Sequence, residues 1–337
     1  MERYINYTET VVLVTGGTGF LGTILIKQLL AAGFMVRATK RTTSTIPSVL
    51  AGISGVEWVD ADVNDFFALA DAFDGVTQVY HCAAVISYHP SDRERMRVVN
   101  VNGTENVVAL ALERGARLLY VSSIAAVGRG KKGQEITEAD LWEYDRDQSG
   151  YAVAKYEAEM EVWRGVAEGL DAVIVNPALI IGPTAALEGI GSTGSIFAQL
   201  HRGLNFYTAG SVGLIDVEDV AKAMVLLMEN KKISGERFLL SNVNMSYKEL
   251  MARCSTYLGR PAPKFRATGL MLGIAWRAAK VLSVFSGKKP LLTRETAQAA
   301  NQQMRFANNK IKQATGMTFK PIDDTLREIC SRLLTLQ

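Results

Sequence analysis

The sequence predicts an α/β fold: a doubly wound parallel sheet followed by a smaller, mostly helical C-terminal lobe. Three features predict it. Short apolar runs rich in β-branched residues alternate with segments of helical periodicity through the first half of the chain. The connections are short, so helices carry the chain from one strand to the next parallel one. After Pro183 the rhythm changes to a Gly-, Ser- and Thr-rich stretch and then to mainly helical sequence. The chain therefore divides at 8–183 and 184–337, with some later segments returning to the sheet.

The elements follow in order. VVLVT (Val11–Thr15) is a continuous apolar run, as expected of a strand buried on both faces. Phe20–Ala32 carries apolar residues at helical spacing and stops at Gly33. Phe34–Thr39 and Val56–Val59 read as strands, Asp65–Phe73 as a helix, and Gln78–Ala84 as a strand with its turn. A long helix spans Asp92–Arg114, closed by Gly115. Arg117–Ser123 is a strand, Gly150–Glu168 a helix, and Asp171–Pro177 a strand. Ala185–Ser195 reads as a loop, Val217–Met228 as a helix and Arg237–Leu240 as a short strand.

With 337 residues, 48% of them hydrophobic, the chain can bury a large core. A formal charge of +3, with both signs interspersed, excludes a nucleic-acid stripe. Cys82, Cys254 and Cys330 are scattered, and the three His have no metal-ligand spacing, so no metal is expected and a reducing, cytoplasmic compartment fits. MERYINYTET has no apolar signal-peptide core. The apolar run Gly269–Phe285 is interrupted by Arg277 and Lys280 and falls short of the ~20 apolar residues of a membrane span. It is read as a helix packed on the protein, without membrane contact; a membrane-surface face is the alternative.

Chemistry first enters at TGGTGFLG, between the first strand and the first helix. Gly16 permits a sharp turn, Gly19 lets backbone approach a pyrophosphate, and Gly22 lets the helix pack on the strand, while the helix N-terminus offers N–H groups to the phosphates. Thr18, Phe20 and Leu21 go with the glycines as cofactor contacts, and the fold is of the Rossmann type. The end of the second strand reads VRATKRTTST, with Lys40 and Arg41 where a carboxylate would hold the ribose of NAD. A guanidinium suits a 2′-phosphate, which favours NADP(H) over NAD(H). Asp62 and Val63 are candidates to meet the adenine.

Ser123 ends the fifth strand at the sheet edge where ligands bind. Tyr151 and Lys155 lie four apart on one helical face, and Tyr151 is the only tyrosine with a lysine at that spacing. An adjacent ammonium would lower the tyrosine pKa toward a useful range, and Ser123 could donate to a substrate oxygen.

The sequence resembles the extended short-chain dehydrogenase/reductase, or NAD-dependent epimerase/dehydratase, family. The resemblance spans the chain through TGGTGFLG, ADVND, HCAA, VNVNGTENV, YVSSIAAVG, YAVAK, NPALIIGP and IDVEDVAKA. It implies that Ser123 polarises the substrate oxygen, that Tyr151 is the acid/base, and that Lys155 holds the nicotinamide ribose and tunes Tyr151. It further implies that Asn102 is the structural asparagine, that Ala83 and Ala84 pass the cofactor, and that Pro177 lines the nicotinamide. VRATKR is similar to the dihydroflavonol-reductase-like branch, compared also with 3β-hydroxysteroid dehydrogenases, in which an arginine at the place of Arg41 meets the 2′-phosphate. Ala125 stands where a second hydroxyl residue is common, and Asp216 replaces a usual histidine and is read as a helix cap.

The expected activity is NADP(H)-linked interconversion of a ketone or aldehyde with an alcohol, the substrate being a small molecule. A nucleotide-sugar epimerase or dehydratase using NAD and a non-catalytic dinucleotide sensor are the alternatives. Ile86–Pro90, Arg129–Gln148 and Gly189–Tyr207 are expected to frame the substrate, with Ile86, Tyr88, Ser192, Phe197 and Tyr207 as its contacts. The relatives suggest a homodimer.

Overall fold

The computed structural model describes residues 11–335 except 131–132, 146–147, 184–190, 287–289 and 291; the side chains of 191–195, 284 and 286 also fall outside the described set. The main sheet begins β1 (Val11–Thr15), α1 (Phe20–Ala31), β2 (Met35–Lys40), β3 (Val56–Asp60), α2 (Phe66–Ala72), β4 (Val76–His81). It continues through α3 (Arg93–Met96), α4 (Gly103–Arg114), β5 (Arg117–Val121), α5 (Gly150–Ala167) and β6 (Ala172–Pro177). A seventh strand, β10 (Glu236–Leu240), joins β6 in parallel, giving the order β10-β6-β5-β4-β1-β2-β3. The order reverses between β1 and β4, which opens a crevice at their carboxyl ends.

Alternation along β1 explains the two-sided burial. Val12 and Val14 face a core with Leu25, Ile26 and Leu29 of α1. Leu13 faces the other side, with Leu69 and Phe73 beside α2, Val107 and Val108 of α4, and Val162 of α5. The long helix expected over 92–114 is not uniform: a wider π-helical turn at Arg97–Asn102 separates α3 from α4. Such turns cluster at functional sites. This one frees Asn100 to brace Val85, accepting from its N–H at 2.7 Å and donating to its carbonyl at 3.0 Å.

Beyond β6 come β7 (Leu179–Ile181), α6 (Gly191–His201), β8 (Phe206–Tyr207), β9 (Ser211–Asp216), α7 (Val217–Glu229), β11 (Val243–Ser246) and α8 (Tyr247–Tyr257). They are followed by β12 (Phe265–Arg266), α9 (Gly269–Ser286), α10 (Arg294–Ala299), α11 (Asn309–Thr315) and α12 (Ile322–Leu334). A second sheet, β11-β9-β7, was not read from the sequence. Its strands are short, and β7 starts one residue after β6 with no turn signal between them. The expected loop 185–195 is corrected in its last part, because α6 begins at Gly191. Phe197 and Leu200 anchor that helix in a core with Leu250, Cys254, Leu326 and Ile329, so packing overrides the Gly- and Ser-rich composition.

Asp216 caps α7 as expected, accepting the Glu218 N–H at 2.7 Å and the Thr325 hydroxyl at 2.6 Å. The packed-helix reading of 269–285 holds for one face of α9 only: Leu272 and Trp276 pack with Leu292 and Ala297, while Leu270, Ile274, Val281, Leu282 and Phe285 are exposed.

Candidate active site

The glycine turn forms one wall of the crevice. Gly16 has φ +70°, and a Cβ there would lie 2.7 Å from the Ala83 nitrogen. A Cβ on Gly22 would lie 2.3 Å from the Gly16 carbonyl oxygen. Both glycines are therefore dictated by backbone contact, and they bring the turn against the chain leaving β4. Gly19 is the N-cap of α1 and supplies no side-chain cap, which leaves first-turn N–H groups for an anion. Thr18 and Leu21 are half-buried beside it, and Phe20 packs against Gly182. The cradle fits the pyrophosphate of a dinucleotide: tight, uncapped and free of acidic side chains in the first helical turn.

Beside it runs a buried polar chain. The Thr15 hydroxyl bonds His81 Nδ1 at 2.6 Å, and His81 Nε2 bonds the Thr104 hydroxyl at 2.9 Å. Thr104 in turn donates to the Asn100 carbonyl at 2.6 Å, which sets His81 as the neutral Nε2–H tautomer. Burial, with Lys155 adding to it, pushes His81 down to about 3. Between that value and the unfolded value near 6.5, the unfolded chain binds the extra proton. Stability from His81 is thus full above pH 6.5 and lost as pH falls toward 3. Chemical denaturation at pH 7 and 4.5 should show a His81 contribution of about 2–3 kcal/mol disappearing. His81→Gln should flatten that difference; an unchanged pH dependence would rule His81 out as its source.

Ser123 and Tyr151 meet across the crevice. Ser123 is extended, its hydroxyl accepts the Ala125 N–H at 3.1 Å, and it lies close enough to the Tyr151 phenol to act on its charge. Tyr151 is only 8% exposed, and its ring lies 5.8 Å from that of Tyr88. Burial raises the Tyr151 pKa, and the Ser123 hydroxyl lowers it in part.

The Lys155 ammonium meets strand β5 rather than the Tyr151 phenol. It donates to the Tyr120 hydroxyl at 2.9 Å and the Val121 carbonyl at 2.7 Å, and it sits 4.6 Å from the Tyr120 ring centre. Buried among these partners, it is pushed down to about 7, against the opposing pull of Glu159. The partners come from β5, and the helical register that puts Lys155 beside Tyr151 also puts it over this strand.

Glu159, one turn further along α5, escaped the sequence reading. It is fully buried and accepts from the Ser122 hydroxyl at 2.5 Å, Asn176 Nδ2 at 2.8 Å and Trp163 Nε1 at 3.2 Å, with Arg237 Nη1 at 3.3 Å. Asn176 also donates to the Ser123 carbonyl at 3.0 Å, so the carboxylate indirectly fixes the backbone under Ser123. Its only sequence signal was its place on the Tyr151–Lys155 face. In the neighbouring helix the bracing asparagine is Asn100, while Asn102, at the end of the π-helical turn, is half-buried.

At the far end of the crevice Lys40 pairs with Asp60 of β3, whereas Arg41 is exposed and makes no ion pair among the described residues. Asp62 accepts from the Asn64 N–H and side-chain amide, both at 2.9 Å. Val63 is buried beneath Gly103. Ala83 is half-buried and donates its N–H to Thr15; Ala84 is exposed, and Pro177 is buried beside Leu240 of β10.

The expected substrate contacts scatter. Tyr88 joins Tyr151, but Ile86 is 59% exposed, Phe197 lies in the C-terminal core, and Tyr207 sits in β8 with Lys248 over its ring. Ser192 lies outside the described side chains. A cavity of about 460 Å³ starts at His89, Pro90 and Gln148 and is closed by Trp276, Leu292 and Gln298. A second, about 720 Å³, lies between α9, α10 and Arg129. Neither is lined by Ser123, Tyr151 or Lys155. The walls from α9 and α10 were missed because nothing in their sequence points to a site.

The chain matches the model of the NAD dependent epimerase/dehydratase family over residues 12–241. It is 35% identical to a Synechocystis sp. protein named "Putative dihydroflavonol 4-reductase", covering 94% of this chain and 92% of that one. It is 27% identical to cinnamoyl-CoA reductase 1 of Petunia hybrida, covering 96% and 92%. Among solved structures, gox2253 superposes with a TM-score of 0.83 at 29% identity, covering 97% of this chain and 98% of that one. A Gly-turn cradle at a sheet switch point, a Ser–Tyr pair at the next strand end and this family match converge on one statement: the chain is a nicotinamide-dinucleotide-dependent enzyme of the extended short-chain dehydrogenase/reductase type and belongs to the NAD-dependent epimerase/dehydratase family.

Proposed function

We propose that the protein is an NADP(H)-dependent reductase that interconverts a small ketone or aldehyde with its alcohol, with Tyr151 as the acid/base. The observation that carries this reading is the Ser123 hydroxyl set beside the buried Tyr151 phenol, in a chain related to proteins named as reductases. The dinucleotide is held by 8–183, and 184–337, apart from β10, frames the substrate. When bound, the nicotinamide supplies or accepts hydride at the substrate carbon. The protein's part is proton handling and charge stabilisation. Tyr151 delivers a proton to the carbonyl oxygen or removes it from the alcohol. Ser123 donates to the same oxygen as charge builds on it. Lys155, held over Tyr120, is the ammonium assigned to the nicotinamide ribose.

The preference for NADP(H) rests on Arg41. Lys40 is already neutralised by Asp60, so the exposed Arg41 guanidinium is the group at that strand end suited to a phosphate. NADPH should raise the melting temperature more than NADH at equal concentration. Arg41→Ala should weaken NADPH binding by roughly ten- to a hundredfold, the worth of a charged hydrogen bond, and leave NADH binding nearly unchanged. Equal loss for both cofactors would remove Arg41 from the 2′-phosphate. Cofactor absorbance followed over aromatic, cyclic and aliphatic carbonyls and nucleotide sugars tests the reaction; turnover of a nucleotide sugar alone would overturn it.

A further inference from the structure

The fold uses only half of α9. Leu272 and Trp276 turn inward, while Phe285 is 85% exposed, Leu270 77% and Leu282 66%, with Ile274 and Val281 also outside. At about 100° per residue, Leu270, Ile274, Val281 and Phe285 fall within an arc of about 60°, and Leu282 borders it. The result is an apolar stripe along a helix of 18 residues. Its polar border is cationic. Arg277 and Lys280 lie along one edge of the stripe, and Arg277 lies over the Trp276 ring at 4.7 Å. Between Glu249 and Glu295 the chain has no acidic residue at all, whereas Arg260, Lys264 and Arg266 are exposed ahead of the helix. Phe265, four residues before α9, and Phe206 add a second exposed apolar pair with ring centres 5.8 Å apart.

We propose that this face docks on a lipid bilayer surface carrying anionic headgroups. The helix lies in the interface plane, with Leu270, Ile274, Val281 and Phe285 in the acyl boundary and Arg277 and Lys280 at headgroup level. Apolar burial supplies the affinity and the cations select the anionic surface. No helix among the described residues is long and apolar enough to cross a membrane, so α9 lies on the bilayer. A second copy of the chain fits the face less well, because a two-fold interface would set Arg277 and Lys280 against the same cations. The inference does not depend on the proposed reaction.

Sedimentation of the full chain with phosphatidylcholine vesicles, with and without phosphatidylglycerol, tests it. Binding is expected on the anionic vesicles and should weaken as salt rises. The double variant Ile274→Glu/Leu282→Glu should lower it by roughly tenfold or more, with the melting temperature and NADPH stabilisation unchanged. Failure of the wild-type chain to bind anionic vesicles would overturn the proposal. So would size-exclusion chromatography showing a dimer that the double variant splits, since the face would then belong to a second copy.

Discussion

Tyr151→Phe is expected to lower turnover by about a hundred- to ten-thousandfold and to leave cofactor binding intact. The substitution removes one hydroxyl from a side chain that is 8% exposed and keeps the ring that packs on Tyr88. Steady-state kinetics and NADPH-induced thermal stabilisation, measured together, separate proton transfer from binding. The phenol starts with a raised pKa because burial outweighs the effect of the Ser123 hydroxyl. Ser123→Ala should therefore raise it further and move the acid-side limb of the alcohol-oxidation profile, where Tyr151 must first lose its proton, to higher pH. Retention of full turnover in Tyr151→Phe would place the proton on another group.

Glu159→Ala should destabilise the protein by about 3–5 kcal/mol, the range for breaking a buried ion pair. The alanine would leave Ser122, Asn176 and Trp163 donors unmet and the Arg237 guanidinium without its carboxylate. Arg237 would keep its bonds to the Glu138 and Asp140 carbonyls, which holds the loss toward the lower end. At the usual unfolding entropy per residue this is a drop of roughly 4–7 °C in melting temperature for a chain of 337 residues. Glu159→Gln keeps the size and one acceptor and should lose less. A melting temperature within about 1 °C of wild type for the alanine variant would show that the donors re-pair without the carboxylate.

The sheet was legible because β1, β5 and β6 each carry a near-continuous apolar run (VVLV, LLYV and AVIV), which suits a strand covered on both faces. The glycine turn was legible because Gly16 and Gly22 answer backbone contacts within a local strand–turn–helix. What escaped depends on partners distant in sequence. β9 pairs with β7 and β11, and none of the three carries a pattern of its own. The direction of Lys155 is set by Tyr120 and Val121 on another strand, and Glu159 gains its meaning from Asn176 and Arg237. Asn100 and Asn102 both lie in VNVNGT, and only the π-helical turn shows which one is buried. Periodicity marked α9 as apolar, but it could not say that only part of its circumference meets protein.

β6 passes into β7 across the single residue Ala178, and β10 passes into β11 across Ser241 and Asn242. Two adjacent strands thus run without a hinge from one sheet to the other. The chain is spliced twice at this seam, and a swing of one sheet against the other would have to bend both splices together.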